Sequence, residues 1–144
     1  MAETLGSLCD KLTIIKLKQY HSEESSRLES LHKQELQLTE EINQFVHDAL
    51  LGNIPIEKLS FAANKVYKQT GNETKVISGN LGQVFAELAS VNCDLWHEQE
   101  KVYEFELVPV SEKDVVVKKL AILNLERNKC IDLINHILTD LCSR

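Results

Sequence analysis

The chain has 144 residues, of which only five are Gly and two are Pro; because tight turns rely on these two residue types, their scarcity disfavours sheet-rich folds. This length suits a single domain that buries its core without disulfides. The net charge of −6, the lack of a basic block and the lack of a long apolar run disfavour nucleic-acid binding, anionic membranes and membrane spans.

Two helices are predicted in the first part of the chain. Over residues 4–24, apolar residues recur at steps of three and four, which is the spacing of one helix face. A second helix is predicted from a capping box formed by Ser26 and Glu29, and it runs to Leu51. Gly52 is a suitable left-handed stop.

The pattern weakens over residues 53–79, where a short helix is predicted at 59–67. A clear stripe returns over residues 80–104, and Asn80 with Gln83 could cap its start. After Pro109, Ser111 with Asp114 resembles a capping box that opens the last helix, and Val110 with Val115 could staple it.

An internal repeat links these helices. Shifting the sequence by 76 residues aligns identical residues in two stretches of 21, including Gly6 with Gly82 and His21 with His97. We predict an all-α fold in one domain: an antiparallel four-helix bundle made of two αα-hairpins, 4–51 and 80–142, joined by a connector at 52–79 with an extra short helix.

Several polar residues fall on or beside the apolar stripes, where burial without a partner would be costly. The most specific contact predicted from them is a buried Glu35–Arg127 ion pair. Such a pair could simply fix the helix register. The functional alternative is a polar pocket in which cationic side chains meet an anionic group and Trp96 stacks on a ring. The residues of this predicted pocket are Lys16, Glu35, Asn92, Trp96, Asn124 and Arg127.

The cysteines and histidines give no site of their own. Cys9, Cys93, Cys130 and Cys142 lack metal-ligand spacing, so reduced structural thiols are predicted. The start of the chain lacks the features of a secretory signal, which predicts a cytoplasmic location. His97 and Glu100 are spaced like metal ligands, but their helical phase points away from the stripe. No cofactor or metal is predicted.

The first helix also has apolar residues roughly opposite its main stripe. A helix that is apolar on two sides is usually covered on both. The connector could provide this cover. The alternative is a homodimer face that contains Ile14, Leu17 and Leu28.

Three segments resemble a family of small uncharacterised bacterial helical proteins. They are residues 4–18 (TLGSLCDKLTIIKLK), 91–98 (VNCDLWHE) and 123–128 (LNLERN). Members of these domain-of-unknown-function families show similar signatures and tend to be encoded among glycosyltransferase and surface-polysaccharide genes. The resemblance implies a link to polysaccharide assembly but no established activity. It directs attention to Asp10, Lys11, Asn92, Trp96, Asn124 and Arg127.

These observations lead to a non-enzymatic accessory or small-ligand-binding protein, linked to sugar or surface-polysaccharide metabolism. Its expected ligand is small and is either anionic or sugar-containing. One alternative is a metal-dependent hydrolase of nucleotide or sugar-phosphate substrates. The other is a plain oligomerisation module, which is expected if Glu35 and Arg127 satisfy each other with no cavity.

Overall fold

The computed structural model describes residues 3–61 and 74–144, which form an all-α fold. Its four α-helices are α1 (Leu5–Tyr20), α2 (Ser25–Leu50), α3 (Leu81–Tyr103) and α4 (Val110–Cys142). Single 3₁₀ turns lie at Ile56–Lys58 and Phe105–Leu107, and these described ranges contain no strand. The predicted fold class is therefore confirmed, while the arrangement as two antiparallel hairpins stays a prediction.

Local capping explains where α1 and α2 begin. Thr4 caps α1, because its Oγ1 accepts a hydrogen bond from the Ser7 N–H at 3.2 Å. The predicted capping box of Ser26 and Glu29 is wrong: α2 already begins at Ser25, and the Ser26 hydroxyl donates to Glu24 at 2.6 Å. After α2 ends, Gly52 adopts the predicted left-handed conformation with φ +77.

The starts of α3 and α4 show one correct and one wrong prediction. Gln83 accepts a hydrogen bond from the Asn80 N–H at 2.7 Å, which confirms that this pair caps α3. The predicted box of Ser111 and Asp114 is wrong, because α4 starts at Val110 with Pro109 at the cap position and Ser111 already inside the helix.

The connector contributes to the core directly after its 3₁₀ turn. Leu59 is fully buried. The short helix predicted at 59–67 falls mostly on residues 62–73, outside the described residues, and residues 59–61 are not helical. The other fully buried apolar side chains come from α3 and α4: Val84, Leu88, Val91, Cys130 and Ile134.

Helix α1 packs against all three other helices. Its contact with α4 is close at Gly6, whose N–H donates to Asn135 Oδ1 at 2.7 Å. A Cβ at Gly6 would clash with the Ile131 carbonyl oxygen, so only glycine allows this approach. Over the described part of the chain, no helix is both long enough and apolar enough to cross a bilayer.

Candidate functional site: a buried polar network beside an open cleft

An ion pair joins α1 to α4 through Asp10 and Arg127. The Arg127 Nε donates to Asp10 Oδ1 at 2.8 Å, and the Arg127 Nη2 contacts the other carboxylate oxygen, Oδ2. This two-point geometry is the strong form of a guanidinium–carboxylate contact. The hydrogen bonds to Asp10 raise the pKa of Arg127 above its ordinary value.

Asn92 of α3 holds the Asp10 carboxylate from a third helix. Its side-chain amide donates to Asp10 Oδ1 at 2.9 Å and to Thr13 Oγ1 at 2.7 Å. Thr13 in turn donates to the Asp10 carbonyl oxygen at 2.8 Å. Asp10, Thr13 and Asn92 are all buried. A chain of hydrogen bonds therefore holds the Asp10 carboxylate in the orientation in which it contacts Arg127.

The sequence explains why these groups converge. Asp10 and Thr13 are three residues apart on α1 and therefore share a helix face. That face is enclosed because α3 and α4 both pack on α1. A buried carboxylate requires a cation or hydrogen-bond donors, and α3 and α4 each supply one. We call Asp10, Thr13, Asn92 and Arg127 the polar network.

Two members of the polar network, Asp10 and Arg127, also line an open cavity of about 470 Å³, which we call the polar cleft. This volume is within the range of small-molecule sites. Its polar lining includes two lysines of α1 and two glutamines and a glutamate of α2. The residues of the polar cleft are Asp10, Lys11, Ile14, Ile15, Lys18, Gln34, Gln37, Leu38, Glu41 and Arg127.

The predicted Glu35–Arg127 ion pair is wrong. Glu35 instead accepts hydrogen bonds from Lys16 at 3.0 Å and from Gln19 at 2.8 Å, while Arg127 is taken by Asp10. Those bonds lower the pKa of Glu35 below its ordinary value. The physical reason is that the side of α1 bearing Lys16 faces α2, whereas Asp10 reaches α4.

Lys16 and Glu35 line a second cavity, of about 720 Å³, bounded by α1, α2 and α3. We call it the apolar groove. Most of its lining is apolar or aromatic. Its residues are Leu12, Thr13, Lys16, Leu17, Tyr20, His21, Glu35, Thr39, Phe85, Ala89, Cys93 and His97.

The six predicted pocket residues therefore do not form one pocket. Asn92 and Arg127 meet at Asp10, and Lys16 and Glu35 meet at the apolar groove. Trp96 is half-buried and stacks on His21, with ring centroids 4.9 Å apart and an interplanar angle of 7°. Asn124 is exposed on α4.

The three residues of the predicted homodimer face are all half-buried. Ile14 lines the polar cleft and Leu17 lines the apolar groove, so these two border different cavities. Leu28 lies on α2, which packs against α1. Dimerisation through them stays a prediction.

Sequence periodicity missed Asp10, Thr13 and Lys18. Asp10 lies off the main apolar stripe of α1, although the structure buries it. The available signal was the pair of small polar residues three apart, Asp10 and Thr13, flanked by apolar positions. The family resemblance did direct attention to Asp10 and Lys11, and both line the polar cleft.

Other titratable groups lie outside the polar network. Glu98 of α3 is buried and contacts Lys101 and Lys119, each at 3.0 Å. His97 and Glu100 are exposed, as their helical phase predicts. Among the described residues, no three His, Cys, Asp or Glu side chains are grouped so that they could hold a metal ion.

Comparisons with known proteins add no further assignment to this site. No family model, curated protein sequence or solved structure matches the chain.

Proposed function

We propose that this protein is a non-enzymatic accessory or small-ligand-binding helical protein, and that its ligand is a small anionic or sugar-containing compound held in the polar cleft. The observation that carries the proposal is the Asp10–Arg127 pair in the wall of the cleft, fixed from behind by Asn92. A cation held in this way is preorganised, which reduces the ordering cost of binding.

The donors of Arg127 support an anionic ligand. A guanidinium carries five N–H donors, and Asp10 engages it at only two nitrogens, Nε and Nη2. The Arg127 side chain is 34% exposed and lines the cleft. Asp10 therefore positions the guanidinium without using all of its donors.

Two lysines on the same side of α1 add positive charge. Lys11 and Lys18 are seven residues, or two helical turns, apart, and both line the polar cleft. Lys11 pairs with Glu3, whereas Lys18 has no ion-pair partner in the described part of the chain. Lys18 is thus the cation best placed to meet a phosphate or carboxylate.

The opposite wall supports a sugar component. Gln34, Gln37 and Glu41 of α2 line the cleft and offer amide donors and oxygen acceptors. Side chains of this kind hydrogen-bond to hydroxyl groups. A ligand that joins a sugar to an anionic group would use both walls. The family resemblance, whose signatures include Asp10, Lys11 and Arg127, provides the link to surface-polysaccharide metabolism.

No observation favours the two alternatives. A metal-dependent hydrolase needs a metal-ligand set, and none is present among the described residues. A plain oligomerisation module was expected to have a Glu35–Arg127 pair without a cavity, whereas each of these side chains borders its own cavity.

A binding screen tests the proposal. Glucose 1-phosphate, UDP-glucose, glucose and inorganic phosphate are titrated into the protein by calorimetry, with thermal shift as a second readout. At least one anionic compound is expected to bind, and Lys18→Gln should weaken it about tenfold because it removes a charged hydrogen bond. Lys33→Gln is the matched control, since Lys33 is an exposed lysine outside the cleft. If none of the four compounds binds, or if both variants lose affinity equally, the proposal fails.

A further inference from the structure

The apolar groove differs from the polar cleft in its lining and is not used by the proposed function. Its volume of about 720 Å³ is typical of a small-molecule site. The groove has room because α3 contributes small side chains there: Ala89 and Cys93 lie one helical turn apart. Larger apolar side chains, Leu12, Leu17 and Phe85, complete the walls.

The ammonium and the carboxylate that line the groove differ in how much of their hydrogen-bonding capacity is used. Both oxygens of Glu35 are already engaged, one by Lys16 and the other by Gln19. The Lys16 ammonium has three donors, and its hydrogen bond to Glu35 uses one of them. His21 and His97 also line the groove, and their rings contact each other with centroids 6.0 Å apart.

We propose that the apolar groove binds a small apolar anion, meaning an aromatic or aliphatic body that carries one acidic group. The body fills the space between the apolar side chains of α1 and α3, and the acidic group meets Lys16. The unused donors of Lys16 favour this class over a neutral apolar compound, because Lys16 is 56% exposed and its ion pair with Glu35 uses one of its three donors. The groove lies on a different side of α1 from the polar cleft, so this inference does not depend on the proposed function.

Two fluorescent probes separate the role of the charge from that of the apolar body. 8-Anilinonaphthalene-1-sulfonate carries a sulfonate, and N-phenyl-1-naphthylamine is the same ring system without it. Each probe is titrated against the full chain and against single variants. The sulfonate probe is expected to bind the unmodified chain at least about tenfold more tightly than the neutral probe, since it adds a charge-assisted contact.

The variants assign the contact to the groove. Lys16→Gln should weaken the sulfonate probe about tenfold and change the neutral probe by less than about twofold. Lys33→Gln is the matched lysine control, since Lys33 is exposed and lines neither cavity, and it should leave both probes unaffected. Ala89→Phe fills the groove and should abolish binding of both probes. Ala86→Phe makes the same change on an exposed part of α3 outside the groove and should have no effect.

Specific results would overturn the inference. Equal binding of the two probes, or equal losses with Lys16→Gln and Lys33→Gln, would show that Lys16 does not select an anion. Equal losses with Ala89→Phe and Ala86→Phe would show that the probes bind elsewhere. Sedimentation of the same samples adds one further outcome: if Ala89→Phe converts a dimer to a monomer, the groove is an interface between copies, and the proposal is wrong.

Discussion

Gly6 of α1 and Gly82 of α3 occupy equivalent positions in the internal repeat, but only Gly6 lies against another helix. Its backbone approaches Ile131 and Asn135 of α4, whereas nothing lies within 4 Å of a Cβ built at Gly82. The difference recurs further along: Lys16 is exposed, while its counterpart Asn92 is 1% exposed. Helix α1 has three helical neighbours, so equal sequence patterns in the two helices meet unequal surroundings.

The comparison shows that the repeat specifies helical periodicity but not environment. The matched histidines illustrate this. His21 and His97 are both exposed and contact each other, but His21 also stacks on the Trp96 ring. Variants at matched positions therefore give direct tests, because each has a control in the other helix.

The largest difference is expected at the matched glycines. Gly6→Ala should destabilise the protein by about 3 kcal/mol, because the new methyl group clashes with the backbone of α4 and disturbs the bond to Asn135. Gly82→Ala should be neutral or stabilise by up to about 1 kcal/mol, since alanine is the better helix former and the space is open. Urea unfolding of both variants measures the difference. Similar losses of stability in the two variants would mean that α1 and α4 do not approach closely at Gly6.

A second difference is expected at Asn92 and Lys16. Asn92→Ala removes a buried donor from Asp10 and Thr13 and should cost about 2–3 kcal/mol, because both acceptors are left without it inside the bundle. Lys16→Ala removes an exposed ion pair, which contributes little in solvent. Thermal unfolding at fixed pH compares the two variants. A larger loss with Lys16→Ala would contradict the assignment of the polar network.

The third difference concerns acid stability and involves α3 without a counterpart in α1. The residue matched to Glu98 in the repeat is Ser22, which lies beyond the end of α1, whereas Glu98 is buried on α3 and contacts Lys101 and Lys119. Burial tends to raise the pKa of Glu98, but hydrogen bonds from Lys119 and Lys101 outweigh it and leave the pKa lowered. The stability that Glu98 provides is therefore complete above the unfolded value near pH 4.5 and is lost as pH falls through the lowered pKa.

The variant Glu98→Gln tests this pH dependence of stability. We expect a loss of about 1–2 kcal/mol at pH 7, because charged hydrogen bonds become neutral ones. The variant should also lose less stability than the unmodified chain between about pH 5 and pH 3. Glu100→Gln is the control, since Glu100 is exposed two residues away. Parallel stability curves for Glu98→Gln and the unmodified chain would contradict the prediction.

Periodicity predicted the helices of this fold to within a few residues, because a three-and-four stripe depends only on one face being covered. The exact starts were harder. Ser26 and Ser111 each have an acidic residue three positions later, but α2 and α4 begin two residues earlier than those boxes require. Capping patterns are short, so a shift of one residue changes which side chain can cap.

The candidate site was predicted less fully, for a tertiary reason. Asn92 and Arg127 were identified because polar residues in a stripe require partners. Their shared partner, Asp10, depends on how α3 and α4 both pack on α1, and no local pattern contains that information. The predicted Glu35–Arg127 pair was wrong for the same reason, since Glu35 of α2 meets the side of α1 that bears Lys16.

The last contrast between the two helices concerns their cysteines. These should differ in the reactivity of their thiols, and this prediction involves the smallest effect on stability. Cys9 of α1 is buried, and burial raises its pKa to about 12, whereas Cys93 of α3 is half-buried and lines the apolar groove. With that pKa, only about one Cys9 thiol in ten thousand is ionised at pH 8, and the thiolate is the reactive form.

Iodoacetamide labelling at pH 8, followed by peptide mass spectrometry, should therefore modify Cys93 well before Cys9. Cys9 should react only as fast as the chain unfolds, so low urea should accelerate Cys9 much more than Cys93. Cys130, which is buried with its pKa raised to about 11, is the internal control and should follow Cys9. Rapid labelling of Cys9 without acceleration by urea would mean that the contact of α1 with α4 opens locally. The contrast between α1 and α3 would then reflect local dynamics rather than packing.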